Sequence, residues 1–206
     1  MQGDDLLEIA FPDILKREIG HLGIELSLEQ LEQFERYYYE LNEWNSRVNL
    51  TSVTEWEDVQ SRHYLDSLTV ALVIPKAILG SGRFVDVGSG GGFPGVPLLL
   101  AFPGMKGTLI EATGKKTTFL EHLKDSLGLE GLDVLNGRAE TLAHDPALRE
   151  SFDIVLARSI SGMAALAEMT LPFCRTGGLL VAHKGHNIED ELTAAANSIV
   201  VTGGAL

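Results

Sequence analysis

Phe84-Val85-Asp86-Val87-Gly88-Ser89-Gly90-Gly91-Gly92-Phe93-Pro94-Gly95 (84–95) runs from a short apolar stretch into a turn with glycine at 88, 90, 91 and 92. An apolar run of this length bounded by glycines reads as a buried strand. The glycines let the backbone take positive φ and approach a ligand with no Cβ in the way. Pro94 and Pro97 suit the first turn of a following helix, where a missing N–H costs little. The segment therefore predicts a strand, a tight turn and a helix, the unit from which parallel sheets are built.

The same rhythm continues downstream. Short apolar runs at Thr108-Leu109-Ile110-Glu111, Asp133-Val134-Leu135, Phe152 to Ala157 and Leu179-Leu180-Val181-Ala182 predict four further strands. Helical stretches are expected between them near 95–102, 115–128, 139–149 and 161–174. Strands alternating with helices at this spacing imply an α/β fold, a mostly parallel central sheet with helices on both faces. Ile199-Val200-Val201 reads as a sixth strand, with too few residues after it for a seventh.

Upstream the period is helical. Ser27 and Gln30 form a capping-box pattern, and Leu28, Leu31, Phe34, Tyr38 and Leu41 follow at three- and four-residue steps, with Trp44 extending the face. Tyr37-Tyr38-Tyr39 could be a base-stacking platform, but three consecutive helical residues point in three directions, which favours packing. A further helix is expected over 57–73, stopping before Pro75. The chain thus divides into an N-terminal helical segment, 1–75, packed on an α/β domain, 76–206.

Composition sets limits. With 206 residues and 45% apolar content there is material for one good core. No apolar run reaches membrane-spanning length, and the acidic N-terminus is unlike a signal peptide, so a cytoplasmic protein is expected. Cys174 is the single cysteine, which excludes an intrachain disulfide and a thiolate metal cluster. It reads as a buried small hydrophobe on a helix away from the strand ends, and no metal site is expected. The net charge of −13 opposes phosphate binding. Residues 1–60 nevertheless hold 4 basic and 14 acidic side chains, against 12 and 15 in 61–206, so the later part could still present a local basic face.

In an open parallel sheet, ligands bind beyond the carboxyl ends of the strands. A glycine-rich turn alone does not choose the ligand. Asp86 places a carboxylate just before the turn, which suits an amino-bearing ligand and repels a pyrophosphate. Phe93 stands where a dinucleotide fingerprint needs its third glycine. Glu111 ends the second strand about 20 residues on, where it can accept both ribose hydroxyls of an adenosine. Asp86, Gly88, Gly90 and Glu111 together favour S-adenosylmethionine over NAD.

Asn49-Leu50-Thr51, His63-Tyr64-Leu65-Asp66-Ser67-Leu68, the run from Asp86 to Pro97, Lys115-Lys116-Thr117-Thr118-Phe119-Leu120, Gly137-Arg138-Ala139-Glu140, Arg158 and Lys184-Gly185 follow one another in an order and spacing that resemble the RsmG (GidB) family. The likeness extends from about residue 30 to residue 195. It implies a Rossmann-like class I methyltransferase fold, S-adenosylmethionine as cofactor with S-adenosylhomocysteine as product, and transfer to N7 of guanine 527, in customary rRNA numbering, in the 530 loop of bacterial 16S rRNA. By matching motif, Gly88 and Phe93 would line the methionine side of the cofactor. Glu111, Ala112 and Thr113 would hold the ribose, Ala139 and Glu140 would meet the adenine, and Arg158 would face the space between cofactor and base.

The arginine fork of Arg158 also suits a phosphate or the O6/N7 edge of guanine; the plain alternative is a surface ion pair. His63 and Asp66, three apart, are either an acid–base pair or structural pins for the N-terminal helices. Lys115, Lys116, Arg138 and Lys184 are candidate RNA phosphate contacts or ordinary solvated charges. The expected partner is 16S rRNA within the 30S subunit or its assembly precursor, met by a monomer. A methyltransferase with another nucleic-acid or small-molecule substrate, and an S-adenosylmethionine-binding module without catalysis, are the competing readings, with an NAD oxidoreductase third.

Overall fold

A computed structural model describes residues 13–158, 162–185 and 188–206. Five strands, β1 (Arg83–Val87), β2 (Lys106–Glu111), β3 (Leu132–Asn136), β4 (Phe152–Arg158) and β5 (Cys174–His183), form one sheet in the order β3-β2-β1-β4-β5. Every pairing is parallel. The order reverses beside β1, which places the ligand crevice of such a sheet over the carboxyl ends of β1 and β4.

Ten α-helical stretches among the described residues accompany the sheet: α1 (Asp13–Glu18), α2 (Leu28–Asn45), α3 (Trp56–Val59), α4 (Asp66–Leu68), α5 (Lys76–Ser81), α6 (Gly95–Ala101), α7 (Gly114–Leu127), α8 (Ala139–Leu142), α9 (Met163–Thr170) and α10 (Glu189–Val201). The reciprocal capping box at Ser27 and Gln30 starts α2 as expected. Leu31, Phe34, Tyr37 and Leu41 are buried on its inner face, whereas Leu28 is exposed. The expected helix over 57–73 is observed as a continuous run from Trp56 to Leu72, with a π-helical segment at Gln60–Leu65 between α3 and α4 and a 3₁₀ turn at Thr69–Leu72.

One apolar core joins these helices to the sheet, since Leu15, Phe34, Tyr37 and Tyr64 cluster with Phe84, Leu98, Leu109 and Leu156. The opposite face of the sheet carries a smaller cluster around Val85, Val87, Ile110 and Val155. Burying both faces is what stabilises an all-parallel sheet.

Three expectations are corrected. Ile199-Val200-Val201 ends helix α10 and forms no strand. Three acidic residues in its first turn suit the positive end of the helix dipole, and Ala195 and Ile199 are buried four residues apart, so the helical period overrides β-branched propensity. The stretch 139–149 is helical only to Leu142, because Pro146 opposes a helix through Asp145. Cys174 is the first residue of β5, not part of a helix, and it is half-buried.

Candidate functional site

Three positive-φ glycines shape the turn after β1, with φ of 75° at Gly88, 57° at Gly90 and 96° at Gly92. Gly88 and Ser89 donate their N–H groups to the Ile110 carbonyl of the neighbouring strand. A Cβ at Gly92 would lie 2.7 Å from the Tyr37 hydroxyl oxygen, and one at Gly95 would lie 2.7 Å from Leu109 Cδ2. Those two glycines therefore serve packing. Gly90 differs, since a Cβ there would meet nothing nearer than the Gly88 carbonyl at 3.9 Å. Gly88 is exposed and Gly90 half-buried, so both present backbone to the crevice.

Glu111 closes β2 beside this turn. Its carboxylate is buried and accepts the Gly90 N–H at 3.1 Å and the Thr113 N–H at 2.7 Å, one on each oxygen. An ionised carboxylate offers about four acceptor positions, so about two remain for hydroxyl donors. Ala112 and Thr113 lie exposed just beyond, and Asn136 Nδ2 and the Gly137 N–H both donate to the Glu111 carbonyl. That pair of bonds brings the ends of β2 and β3 together, with buried Ala139 and exposed Glu140 at the start of α8.

Asp86 points into the core. It shares a sheet face with Phe84 and is paired in register with Leu109, both in the main core, and its carboxylate is fully buried. Oδ2 accepts the Gly95 N–H at 2.9 Å, while Oδ1 has no hydrogen-bond partner. Burial pushes the pKa up to about 7, against the opposing pull of the Gly95 amide and the Arg158 charge. In this form Asp86 ties the glycine turn to α6, and its open acceptor capacity lies on Oδ1.

Arg158 ends β4 on the other side of β1. Its guanidinium donates from Nη1 to Asp66 Oδ2 at 3.2 Å and approaches His63 Nδ1 with Nη2 at 3.2 Å. Cζ lies 5.0 Å from the centre of the Phe93 ring. Phe93 is stacked in turn on His63 at 4.4 Å and on Tyr37 at 5.3 Å, and the Tyr37 hydroxyl donates to the Gly91 carbonyl. Burial, then the charge of Arg158, brings the His63 pKa down to about 4, which leaves the ring neutral near pH 7. His63 and Asp66 are therefore neither an isolated acid–base pair nor simple pins between helices, because both grip Arg158.

Phe93, the residue expected on the methionine side of the cofactor, carries the His63 and Tyr37 rings and the Arg158 guanidinium. The carboxyl edge thus gathers Gly88, Gly90, Phe93, Glu111, Ala112, Thr113, Ala139, Glu140 and Arg158 at the ends of β1 to β4. Lys115 is exposed and Lys116 half-exposed on the first turn of α7, and Arg138 is exposed just before α8. Lys184 follows β5 with little exposed surface and pairs with Glu191 at 2.7 Å. Ser159 and Ile160, which follow Arg158, lie outside the described residues. Cys174, at the amino end of β5, is on the far edge of the sheet from this crevice. The described residues hold no group of three or more His, Cys, Asp or Glu placed to bind a metal.

Thr51, which sequence reasoning quoted only within a motif, reaches His63 Nε2 at 2.7 Å, and His183 approaches the Thr69 hydroxyl at 3.3 Å from the end of β5. No local pattern marks these contacts, which span 12 and 114 residues of the chain.

Comparison with known proteins follows the same geometry. The family model described as GidB, rRNA small subunit methyltransferase G, matches residues 30–205. A Ribosomal RNA small subunit methyltransferase G of Dehalococcoides mccartyi (strain CBDB1) is 46% identical over 186 residues, which cover 90% of this chain and 78% of that protein. One of the same name from Roseiflexus sp. (strain RS-1) is 44% identical over 192 residues, 93% of this chain and 81% of that protein. Among solved structures, an enzyme described as a sarcosine dimethylglycine methyltransferase from Galdieria sulphuraria superposes with a TM-score of 0.50 at 16% identity, covering 62% of this chain and 48% of that one. This last likeness concerns the fold alone. Length of match, identity and the ordered motifs around the glycine turn agree: the chain belongs to the GidB family, rRNA small subunit methyltransferase G.

Proposed function

We propose that this protein methylates N7 of a guanine in 16S rRNA with S-adenosylmethionine as donor, guanine 527 of the 530 loop being the base its family resemblance implies. The observation that carries this reading is the adjacency of two devices at one sheet edge. A glycine turn is anchored to the Glu111 carboxylate, and beside it an arginine is held over Phe93.

The residues present fit the cofactor. Glu111 keeps acceptor capacity for a ribose diol and Gly88 and Gly90 leave backbone uncovered, while the buried Asp86 acts from behind, holding the turn to α6 through the Gly95 N–H. Bound S-adenosylmethionine supplies an activated methyl group on a sulfonium. In this reading Gly88, Gly90 and Phe93 shape the methionine side, Glu111, Ala112 and Thr113 hold the ribose, and Ala139 and Glu140 border the adenine.

The protein's remaining task is alignment and exclusion of water. Guanine N7 carries an unprotonated lone pair on the major-groove edge, so no general base is required. Arg158 offers donors to the O6/N7 edge or to a flanking phosphate, and the neutral His63 ring adds an aromatic face beside Phe93. Cys174 is too remote for the covalent route used on pyrimidine carbon 5.

Lys115, Lys116 and Arg138 are the candidate phosphate contacts. The strongly acidic first 60 residues disfavour tight binding of naked RNA, so the substrate is the 30S particle or its precursor, met in the cytoplasm by a monomer. The test is transfer of labelled methyl groups into 30S subunits from cells lacking the protein, with the modified atom mapped. N7 labelling at one guanine, abolished by Arg158→Ala and by Gly88→Asp, is expected. Label at another site, or none from wild type, would overturn the reading.

A further inference from the structure

We infer that Thr51 is a positioning residue for Arg158 and acts through the imidazole of His63, whose Nε2–H tautomer its hydroxyl holds. The inference deepens the methyl-transfer reading and rests on it only for its kinetic consequence.

His63 Nδ1 has two neighbours with opposite demands. The Arg62 carbonyl lies 3.1 Å away and can only accept; the Arg158 guanidinium nitrogen lies 3.2 Å away and can only donate. A proton on Nδ1 serves the carbonyl and turns an N–H toward the guanidinium, two donors face to face. A bare Nδ1 accepts from Arg158. Burial and the Arg158 charge keep the ring neutral, so it carries one proton and the outcome depends on which nitrogen holds it.

Thr51 acts at the other nitrogen. Its backbone is fixed by Asn45, whose side-chain oxygen accepts the Leu50 and Thr51 N–H groups and whose amide donates to the Thr51 carbonyl. The hydroxyl oxygen accepts the Val53 N–H at 3.0 Å and stands 2.7 Å from His63 Nε2. Oγ1 can accept an Nε2–H or donate to a bare Nε2; Arg158 Nη2 requires a bare Nδ1 and its Nη1 also reaches the Arg62 carbonyl at 3.4 Å, so the arrangement that serves every group puts the proton on Nε2 with Oγ1 as its acceptor. The ring so oriented stacks on Phe93, the same ring that lies under the guanidinium. A loop more than 100 residues before Arg158 in sequence thus sets where that side chain rests.

Thr51→Val removes the acceptor while keeping the branched shape. The expected result is transfer of the proton to Nδ1, where Arg62 accepts it, and release of Arg158 from the ring. ¹⁵N NMR of His63 in the full chain reads the tautomer directly, without substrate. Wild type and Thr51→Ser should show Nε2–H, and Thr51→Val should show Nδ1–H. In single-turnover methyl transfer to 30S subunits, Thr51→Val should be slowed about tenfold to a hundredfold. Affinity for S-adenosylmethionine should change little, and Thr51→Ser should restore the rate.

Nδ1–H in the wild type, Nε2–H retained in Thr51→Val, or a folded Thr51→Ser that fails to restore rate and tautomer would each overturn the inference. Should Thr51→Val fail to fold, Thr51→Ala removes the same hydroxyl and is expected to show Nδ1–H; Nε2–H there would overturn the inference. If no variant, wild type included, methylates 30S subunits while the tautomers behave as expected, the functional reading fails and the tautomer assignment stands.

Discussion

The guanidinium of Arg158 rests on the Phe93 ring, its carbon 5.0 Å from the ring centre, while Asp66 and His63 take its N–H groups from the side. A lysine can keep the charge but cannot occupy both partners with one planar fork. Arg158→Lys is therefore expected to slow methyl transfer about tenfold to a hundredfold, as misplacement of a positioning group does. Stability should fall by no more than about 1 kcal/mol, because the Asp66 partner is half-exposed. Single-turnover rates and urea unfolding separate the two effects; a rate equal to wild type would remove Arg158 from the site.

Glu111 anchors the glycine turn and, in the proposed site, also accepts the ribose hydroxyls. Glu111→Gln leaves one acceptor oxygen and puts an N–H₂ against one of two backbone donors, Gly90 or Thr113. Charge-assisted hydrogen bonds contribute roughly 1.5 to 3 kcal/mol each, so S-adenosylmethionine affinity should fall at least about tenfold. Calorimetric titration measures this, and an unchanged Kd would mean that the ribose is held elsewhere.

How much of this was legible in the chain depends on range. All five strands and the glycine turn follow from apolar runs of strand length between breakers, and Glu111 from its distance to that turn. The sixth strand failed because Ile199, Val200 and Val201 look extended in isolation, while Ala195 and Ile199 bury one helical face. The orientation of Asp86 was missed because strand alternation points it at the core, which a short motif does not reveal. The hold on Arg158 was invisible, since His63 and Asp66 lie 95 and 92 residues away and reach it from a helix whose register is altered by a π segment.

The glycines of the turn should separate into packing and ligand positions. Gly92→Ala meets a positive φ and the Tyr37 hydroxyl oxygen at 2.7 Å, so strain of about 1 to 2 kcal/mol adds to overpacking of about 1 to 3 kcal/mol. Gly90→Ala has the φ cost alone within the protein, with its Cβ in open space where the proposed cofactor would lie. Urea unfolding should show the larger loss for Gly92→Ala. Cofactor titration of the folded proteins should show Gly90→Ala impaired beyond its stability loss; equal stability losses would contradict the division.

Among the basic candidates, Lys115 and Arg138 are exposed, whereas Lys184 is mostly covered and paired with Glu191. A cation that neutralises one phosphate contributes about one unit to the slope of log affinity against log salt. Lys115→Ala and Arg138→Ala should each lower that slope for 30S binding by about one. Lys184→Ala should leave the slope at its wild-type value and lower the thermal midpoint instead. A slope unchanged in all three would exclude this face from phosphate contact.

Asp86 gives the stability a pH dependence of unusual sign for a carboxylate. Burial raises its pKa from 3.8 to about 7, so between about pH 4 and pH 7 the unfolded chain has lost the proton and the folded chain still holds it. The folded state binds more protons, and stability falls as pH rises through that window, by up to about 4 kcal/mol at roughly 1.4 kcal/mol per pKa unit. Glu40 and Asp153 have lowered pKa values and act in the opposite sense, losing their stabilisation as pH falls. Comparison with Asp86→Asn isolates the buried group, because those other carboxylates are common to both proteins. The amide can still accept the Gly95 N–H, and its N–H₂ replaces the partnerless oxygen at a cost that does not vary with pH. Unfolding free energies from pH 4 to pH 8 should therefore show Asp86→Asn gaining on wild type up to about pH 7 and running parallel above it. Parallel curves throughout would place the Asp86 pKa near its ordinary value and its carboxylate in contact with water.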